Sequence, residues 1–318
     1  MRSCFYLILF LLSLTCVLPS YAGRKLVAAV LTSDITRYKE SHRALVKTLA
    51  LKGLDQSKVE LVVQTPNPDP ISWANTIRKF NGIGSDIIIT YGAPVTLAAI
   101  REVDNIPIVF VDVYGPVEAG VTRSMAAPGR NLTGVSSKVP MITLIKAAND
   151  IKHIKSLGIL YNGREIGSVI QLKEIRRLAA QMGFSVVELN VSSANMLDSA
   201  LGTLTSSDVD FIYAAESTLV TRSLEKVIFR ARDHGIPVIS HVPEAADKGA
   251  LVTLEINTYE QGQLAGECVS AILQGKKQGQ IPVATPKKVD LVINLKAAKL
   301  LDLNVPIQVL NISTKIVK

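Results

Sequence analysis

Residues 129–140 read GRNLTGVSSKVP. This short polar stretch, rich in Gly and Ser, separates two long series of apolar, β-branched runs. Before it come LVAAVL (26–31), VELVVQ (59–64), DIIIT (86–90) and IPIVFVDV (106–113). Helical patterns fall between them, near 40–52, near 71–81 and from Pro94 onward. After it the order restarts. A helix is predicted over about 140–151, then SLGILY (156–161), a long amphipathic helix ending at Gly183, and FSVVELN (184–190). A helix near 195–205, VDFIYAA (209–215), a helix over 217–234 and IPVIS (236–240) complete the second series. Short β-branched runs spaced by helices of ten or more residues predict βαβ units and parallel sheets. Two such series predict an α/β protein of two Rossmann-like lobes with a cleft between them. LTGVS then reads as a crossing between the lobes, with Gly134 giving the backbone freedom to turn.

A third section follows: GALVTLEIN (249–257), a helix through TYEQGQLAGECVSAILQGKK, KVDLVIN (288–294) and a short helix in LKAAKLLDLN. The expected division is lobe 1 at 23–131 plus about 257–284, and lobe 2 at 135–253 plus about 288–318. A multi-strand hinge would have crossings near 131–136, 252–257 and 284–291.

The chain has 318 residues, and 48% of them are hydrophobic, enough to build two cores. Its N-terminus has the anatomy of a secretory signal peptide. Arg2 precedes an apolar run from Phe5 to Leu18, Pro19 breaks it, and Ser20-Tyr21-Ala22 supplies small residues before a cut after Ala22. The run is short for a membrane span. Cleavage would leave a periplasmic protein. Cys4 and Cys16 would leave with the leader, so the mature chain keeps only Cys268 and forms no internal disulfide. The net charge of +8 comes from scattered Lys and Arg, with only short pairs at 276–277 and 287–288. That pattern predicts a solvated basic surface rather than a nucleic-acid face.

Catalytic and cofactor signatures are missing from the sequence: it has no GxSxG, GxxxxGK[ST], HExxH or CxxC. The reading is therefore of a protein that is not an enzyme and uses no metal and no cofactor. Ligands of open α/β sheets bind beyond the carboxyl ends of the strands. Those ends carry Thr32 and Ser33; Tyr91, Gly92, Ala93 and Pro94; Asp112 and Tyr114; Asn162; and Tyr213, Glu216, Ser217 and Thr218. A tyrosine offers a stacking face and a hydroxyl. The helix opening at Gly92-Ala93-Pro94 offers free N–H groups to a carboxylate, and Ser217 and Thr218 would serve likewise in the other lobe. Asp112 and Glu216 would accept from a ligand ammonium, or pair with a Lys or Arg of the chain.

IPIVFVDVYGPVEAG, PGRNLTGVSS and the C-terminal block with YxxGxxAG, IPV and VINLKAAK resemble the ABC-transporter substrate-binding proteins of the tryptophan/tyrosine type. The resemblance covers nearly all of the chain after the leader. It implies a type I periplasmic-binding-protein-like fold that closes on a small solute. It also implies partners: an inner-membrane ABC permease with a cytoplasmic ATPase, served by a monomeric binding protein. The ligand it implies is a carboxylate-bearing solute, an amino acid, aromatic ones included. By motif it adds Ser136, Ser137 and Asn257 to the binding residues. In the second lobe Ala215-Glu216-Ser217-Thr218 stands where the family usually has an Asp/Asn-Asn-Thr-like stretch. A sensory module presenting its closed form to a receptor or kinase, and an exported α/β enzyme, are the alternative readings.

Overall fold

The computed structural model describes residues 23–243 and 245–318; the expected leader and the expected cut after Ala22 lie outside them. The first lobe is built on β1 (Lys25–Leu31), β2 (Val59–Gln64), β3 (Ile87–Tyr91), β4 (Ile108–Val113) and β5 (Leu132–Ser136). They form one sheet in the order β2-β1-β3-β4-β5, all parallel. Its helices are α1 (Thr36–Leu51), α2 (Pro70–Gly82) and α3 (Ala93–Glu102). Ile87, Ile88 and Ile89 are all fully buried. A strand covered by helices on both faces must be apolar at every position rather than at alternate ones. Asp69 caps α2 by accepting from the N–H groups of Ile71 (3.0 Å) and Ser72 (2.9 Å), with Pro70 behind it in the first turn.

The second series gives α4 (Met141–Ile151), β6 (Ser156–Tyr161), α5 (Ile166–Met182), β7 (Ser185–Asn190), α6 (Ala194–Ser206) and β8 (Phe211–Ala214). Next come α7 (Thr218–Arg222), α8 (Leu224–Arg232), β9 (Val238–Ser240) and β10 (Val252–Ile256). The expected single helix over 217–234 is broken at Ser223, whose ψ of 11° leaves the helical range. Strands β7-β6-β8-β9-β10 repeat the order of the first sheet. The restart seen in the sequence is thus a repeat of topology.

The chain then crosses back. α9 (Thr258–Leu273) packs on α1 in the first lobe, and Val135 bridges Ala284 beside β5. β11 (Val289–Asn294) returns to the second sheet, followed by α10 (Leu295–Leu300), α11 (Ile307–Ile312) and β12 (Lys315–Val317). β11 runs antiparallel to β10, so this sheet is mostly rather than wholly parallel. The crossings are tied to one another. Ser136 N–H donates to Ala284 O (2.9 Å), and the Glu260 carboxylate accepts from the N–H groups of Lys287 and Lys288 (3.1 Å each). Among the described residues no helix is long and apolar enough to cross a membrane, and no cluster of His, Cys, Asp and Glu is arranged to hold a metal.

Candidate functional site

The carboxyl edges of the two sheets face each other across a narrow cleft. Between them lies a central cavity of about 20 Å³, on the scale of one water molecule. Beside it a second, of about 240 Å³, opens between residues 34–37 of the first lobe and Thr221, Arg222, Val242, Pro243 and Lys248 of the second. Arg37 lines both. This residue stands in the first turn of α1, just past the end of β1, and is only 6% exposed. Its Nε lies 2.7 Å from Asp112 Oδ2 in the first lobe. Its Nη2 donates to Glu216 Oε1 of the second lobe at 2.6 Å. One buried cation thus joins an acid from each sheet.

Each acid is held from behind. Asp112 has a φ of +59°, in the left-handed region where a non-glycine residue is strained. It sits where the β4–β5 register shifts between Phe110 and Val113. The irregularity turns its carboxylate to Arg37, while Gln261 Nε2 of α9 donates to its Oδ1 (3.2 Å). Glu216 lies just past β8. Its N–H donates to Gln171 Oε1 (2.8 Å), and Gln171 Nε2 and His241 Nε2 both lie 3.5 Å from its Oε2. Tyr213 closes this network through its hydroxyl, 2.6 Å from His241 Nδ1.

The electrostatics follow from burial and charge together. Burial disfavours the Arg37 cation, but Asp112 and Glu216 more than offset it, so its pKa stands above the ordinary guanidinium value. Burial raises the Asp112 carboxyl, with Arg37 opposing and Glu216 adding to the rise. Burial also works to raise Glu216, but Arg37 and His241 outweigh it and hold Glu216 below the usual carboxylate range. Truncating one member of such a buried set costs about 3–5 kcal/mol, because the partners are left uncompensated.

A third acid, Glu165, accepts from Thr218 N–H at 3.0 and 2.9 Å and from Asn162 Nδ2 at 2.9 Å. Burial pushes its carboxyl up. The amide expected to receive a ligand carboxylate at Thr218 is therefore met by a carboxylate of the chain. Two hydroxyls lining the cavity, Ser33 Oγ and Thr221 Oγ1, are buried without a hydrogen-bond partner among the described residues. Buried polar atoms left this way are uncommon and mark positions that a further group would satisfy.

Of the residues expected at the site, Ser33, Ala93, Pro94, Asp112, Tyr114, Glu216, Ser217 and Thr218 line the cavity. Tyr114 also donates to Glu174 (2.5 Å), and its ring lies 5.2 Å from that of His241. The other eight stand elsewhere. Thr32 donates to Tyr91 O (2.6 Å), and its carbonyl accepts from the Trp73 indole (3.2 Å). Tyr91 points into the first-lobe core, where its hydroxyl meets His42 Nδ1 at 2.9 Å. Gly92 turns the chain from β3 into α3 at φ +93°; a Cβ there would lie 2.4 Å from the Tyr38 hydroxyl. Tyr213 is buried behind Glu216. Asn162 positions Glu165, and its Oδ1 accepts from Arg164 N–H (3.0 Å). Ser136 ends β5 and Ser137 follows it, with Ser137 N–H donating to Val113 O (3.0 Å). Asn257 caps α9 by accepting from Glu260 N–H (2.8 Å).

The strand-end reading missed Arg37, Tyr38, Glu165 and Thr221, all of which line the cavity. Arg37, Glu165 and Thr221 stand in or beside the first turn of the helix that follows a strand. Carrying the carboxyl-edge rule one helical turn further finds them.

Comparison with known proteins agrees with this architecture. The sequence profile of the family described as ABC transporter substrate binding protein matches residues 27–317. A tyrosine-binding protein of Clostridioides difficile (strain R20291) is 28% identical over 266 residues, covering 83% of this chain and 77% of the relative. A conserved domain protein of Vibrio cholerae superposes with a TM-score of 0.88 at 28% identity, over 92% of this chain and 100% of the other. A Streptococcus pneumoniae ABC domain in complex with L-Trp also gives 0.88, at 21% identity over 93% and 100% of the chains. A ligand-free, open substrate-binding protein with adhesive properties from Clostridium difficile gives 0.71, at 27% identity over 92% and 99%.

Proposed function

This chain belongs to the ABC transporter substrate-binding protein family, and from that premise we propose that it captures an amino acid, aromatic ones included, by lobe closure. Delivery to an inner-membrane permease with a cytoplasmic ATPase follows in this reading, as does a periplasmic location after cleavage behind Ala22. The family and its structural neighbours are solute-binding proteins, not enzymes.

The observation that carries the proposal is the meeting of Arg37, Asp112 and Glu216 between the sheet edges. A zwitterion needs both signs of charge within one small volume, and the central cavity is lined by one cation and three acids, with Arg222 and Lys248 on the pocket beside it. Arg37 is the only cationic residue on the cavity wall among the described residues, so it is the partner for a carboxylate, assisted by the Ser33 and Thr221 hydroxyls. Glu165, the cavity acid not paired with Arg37, serves the ammonium, and Tyr38 and Tyr114 supply apolar walls. Contacts divided between two lobes favour the closed state by their differential affinity for it. Two neighbours of almost equal identity bear on the conformation. The open one matches at 0.71 and the Vibrio cholerae one at 0.88, a gap that a change in lobe angle produces without altering either lobe. This supports reading the present arrangement as drawn together.

The test is a thermal-shift screen of the chain starting at Gly23, unfolded and refolded to strip carried solute, against the amino acids and a set of small carboxylates. A ligand at about 100 times its Kd stabilises by about 2.7 kcal/mol, which raises Tm by several degrees. The expected result is a shift with Tyr, Trp or Phe. A flat response across the amino acids would refute the ligand class.

A further inference from the structure

Arg37 does more than line the cleft. It lies between both acids at once, Nε 2.7 Å from Asp112 Oδ2 without hydrogen-bond geometry and Nη2 donating to Glu216 Oε1, while every member of the set is at most 13% exposed at its side chain. A ligand ammonium has no route to those carboxylates except in competition with a cation already seated between them. We propose that Arg37 is an internal counter-cation that sets the charge selectivity of the cleft, admitting a carboxylate-bearing zwitterion and rejecting a simple organic cation of the same shape.

The geometry supports this in three ways. Asp112 is fixed by its strained backbone and by Gln261, and Glu216 by Gln171, so neither acid is free to swing towards a second cation. Arg37 is held by an acid on each side, so its guanidinium is pre-organised between the sheet edges. The Arg37 carbon Cζ also lies 5.1 Å from the centre of the Tyr38 ring, so the guanidinium is packed as well as paired. With Arg37 removed, two buried carboxylates face each other across the lobes with nothing between them. That is the condition under which a site takes up an external cation.

The amino-acid comparison below rests on the proposed function; the guanidinium rescue does not. Affinities for L-tyrosine and tyramine, which differ by the carboxylate alone, are measured by calorimetry on the wild-type chain, Arg37→Met and Glu216→Gln. Ethylguanidinium is added separately to wild type and Arg37→Ala in thermal melts. The wild type should prefer L-tyrosine. Arg37→Met should shift the tyrosine-to-tyramine ratio towards the amine by at least about tenfold. Glu216→Gln, which keeps shape and an acceptor while removing one negative charge, should shift it the other way. Ethylguanidinium should raise the Tm of Arg37→Ala and leave wild type unmoved. If the wild type binds neither aromatic compound, the aromatic reading fails and the rescue alone decides the role of Arg37. An unchanged ratio in Glu216→Gln, or a folded Arg37→Ala that ethylguanidinium does not stabilise, would overturn the proposal. Should the Arg37 variants not fold, the Glu216→Gln ratio decides.

Discussion

Gly262→Ala should destabilise the protein even though alanine is the better helix former. Gly262 lies inside α9 where that helix crosses α1. A Cβ built there meets Ser41 O at 2.1 Å and Ala44 Cβ at 2.6 Å. Van der Waals contact requires more than 3 Å, so the two helices must part by on the order of 1 Å. The obstacle is α1 backbone rather than the end of a flexible chain. Overpacking of this kind costs about 1–3 kcal/mol, and rigid backbone places it near the upper end. The gain in helix propensity returns about 1 kcal/mol. The net loss is about 2 kcal/mol, a fall in Tm of about 3 °C at about 2.1 cal/mol/K of unfolding entropy per residue. Gly202→Ala is the matched control: Gly202 is also inside a helix, α6, but a Cβ there meets nothing within 4 Å. It should stabilise by up to about 1 kcal/mol. Urea unfolding followed by circular dichroism measures both. A Gly262→Ala chain as stable as Gly202→Ala would refute the claim that α9 and α1 are held in backbone contact. The same displacement moves the first turn of α1, which carries Arg37, so ligand affinity should fall in Gly262→Ala and not in Gly202→Ala.

Burial holds His42 neutral to about pH 4, against an ordinary value of 6.5. The unfolded chain therefore binds more protons between those values, and stability is lost as pH falls through that window, by up to about 3 kcal/mol. His42→Gln should flatten the stability–pH curve there by one proton's slope; a curve parallel to wild type would contradict this. Tyr91→Phe removes the hydroxyl paired with His42 and should cost about 1 kcal/mol while leaving ligand affinity unchanged; a tenfold loss of affinity would return Tyr91 to the cleft. The Cys268 thiol, buried and pushed up to about 11, should react with an aromatic disulfide reagent in the Gly23 chain only at the rate of unfolding. Prompt labelling in native buffer would show that α9 opens locally.

The architecture was legible because βαβ alternation is a local signal, written twice and restarted after GRNLTGVSSKVP. Half of the expected residues line the cavity, because topology gathers strand carboxyl ends at one edge of each sheet. Direction was not. In IIITY every residue is buried, so no alternation of polar and apolar positions tells which way Tyr91 points, and it points into the core. The same holds for Tyr213 at the end of FIYA, whose four residues are all buried. Arg37 was hidden for a different reason. Within TRYKESHR it reads as one more charge on an amphipathic helix, and its partner Glu216 lies 179 residues away. The glycines of the YxxGxxAG motif connect the two levels. Gly262 and Gly266 let α9 lie against α1, with Cβ positions 2.1 Å from Ser41 O and 2.8 Å from Thr48 Cβ. That contact sets the height of the turn bearing Arg37, and Gln261, next to Gly262, reaches Asp112. The motif in the sequence thus supports the site from behind without touching the cavity, while the residues that do touch it are dispersed through the chain and meet only when both lobes are folded.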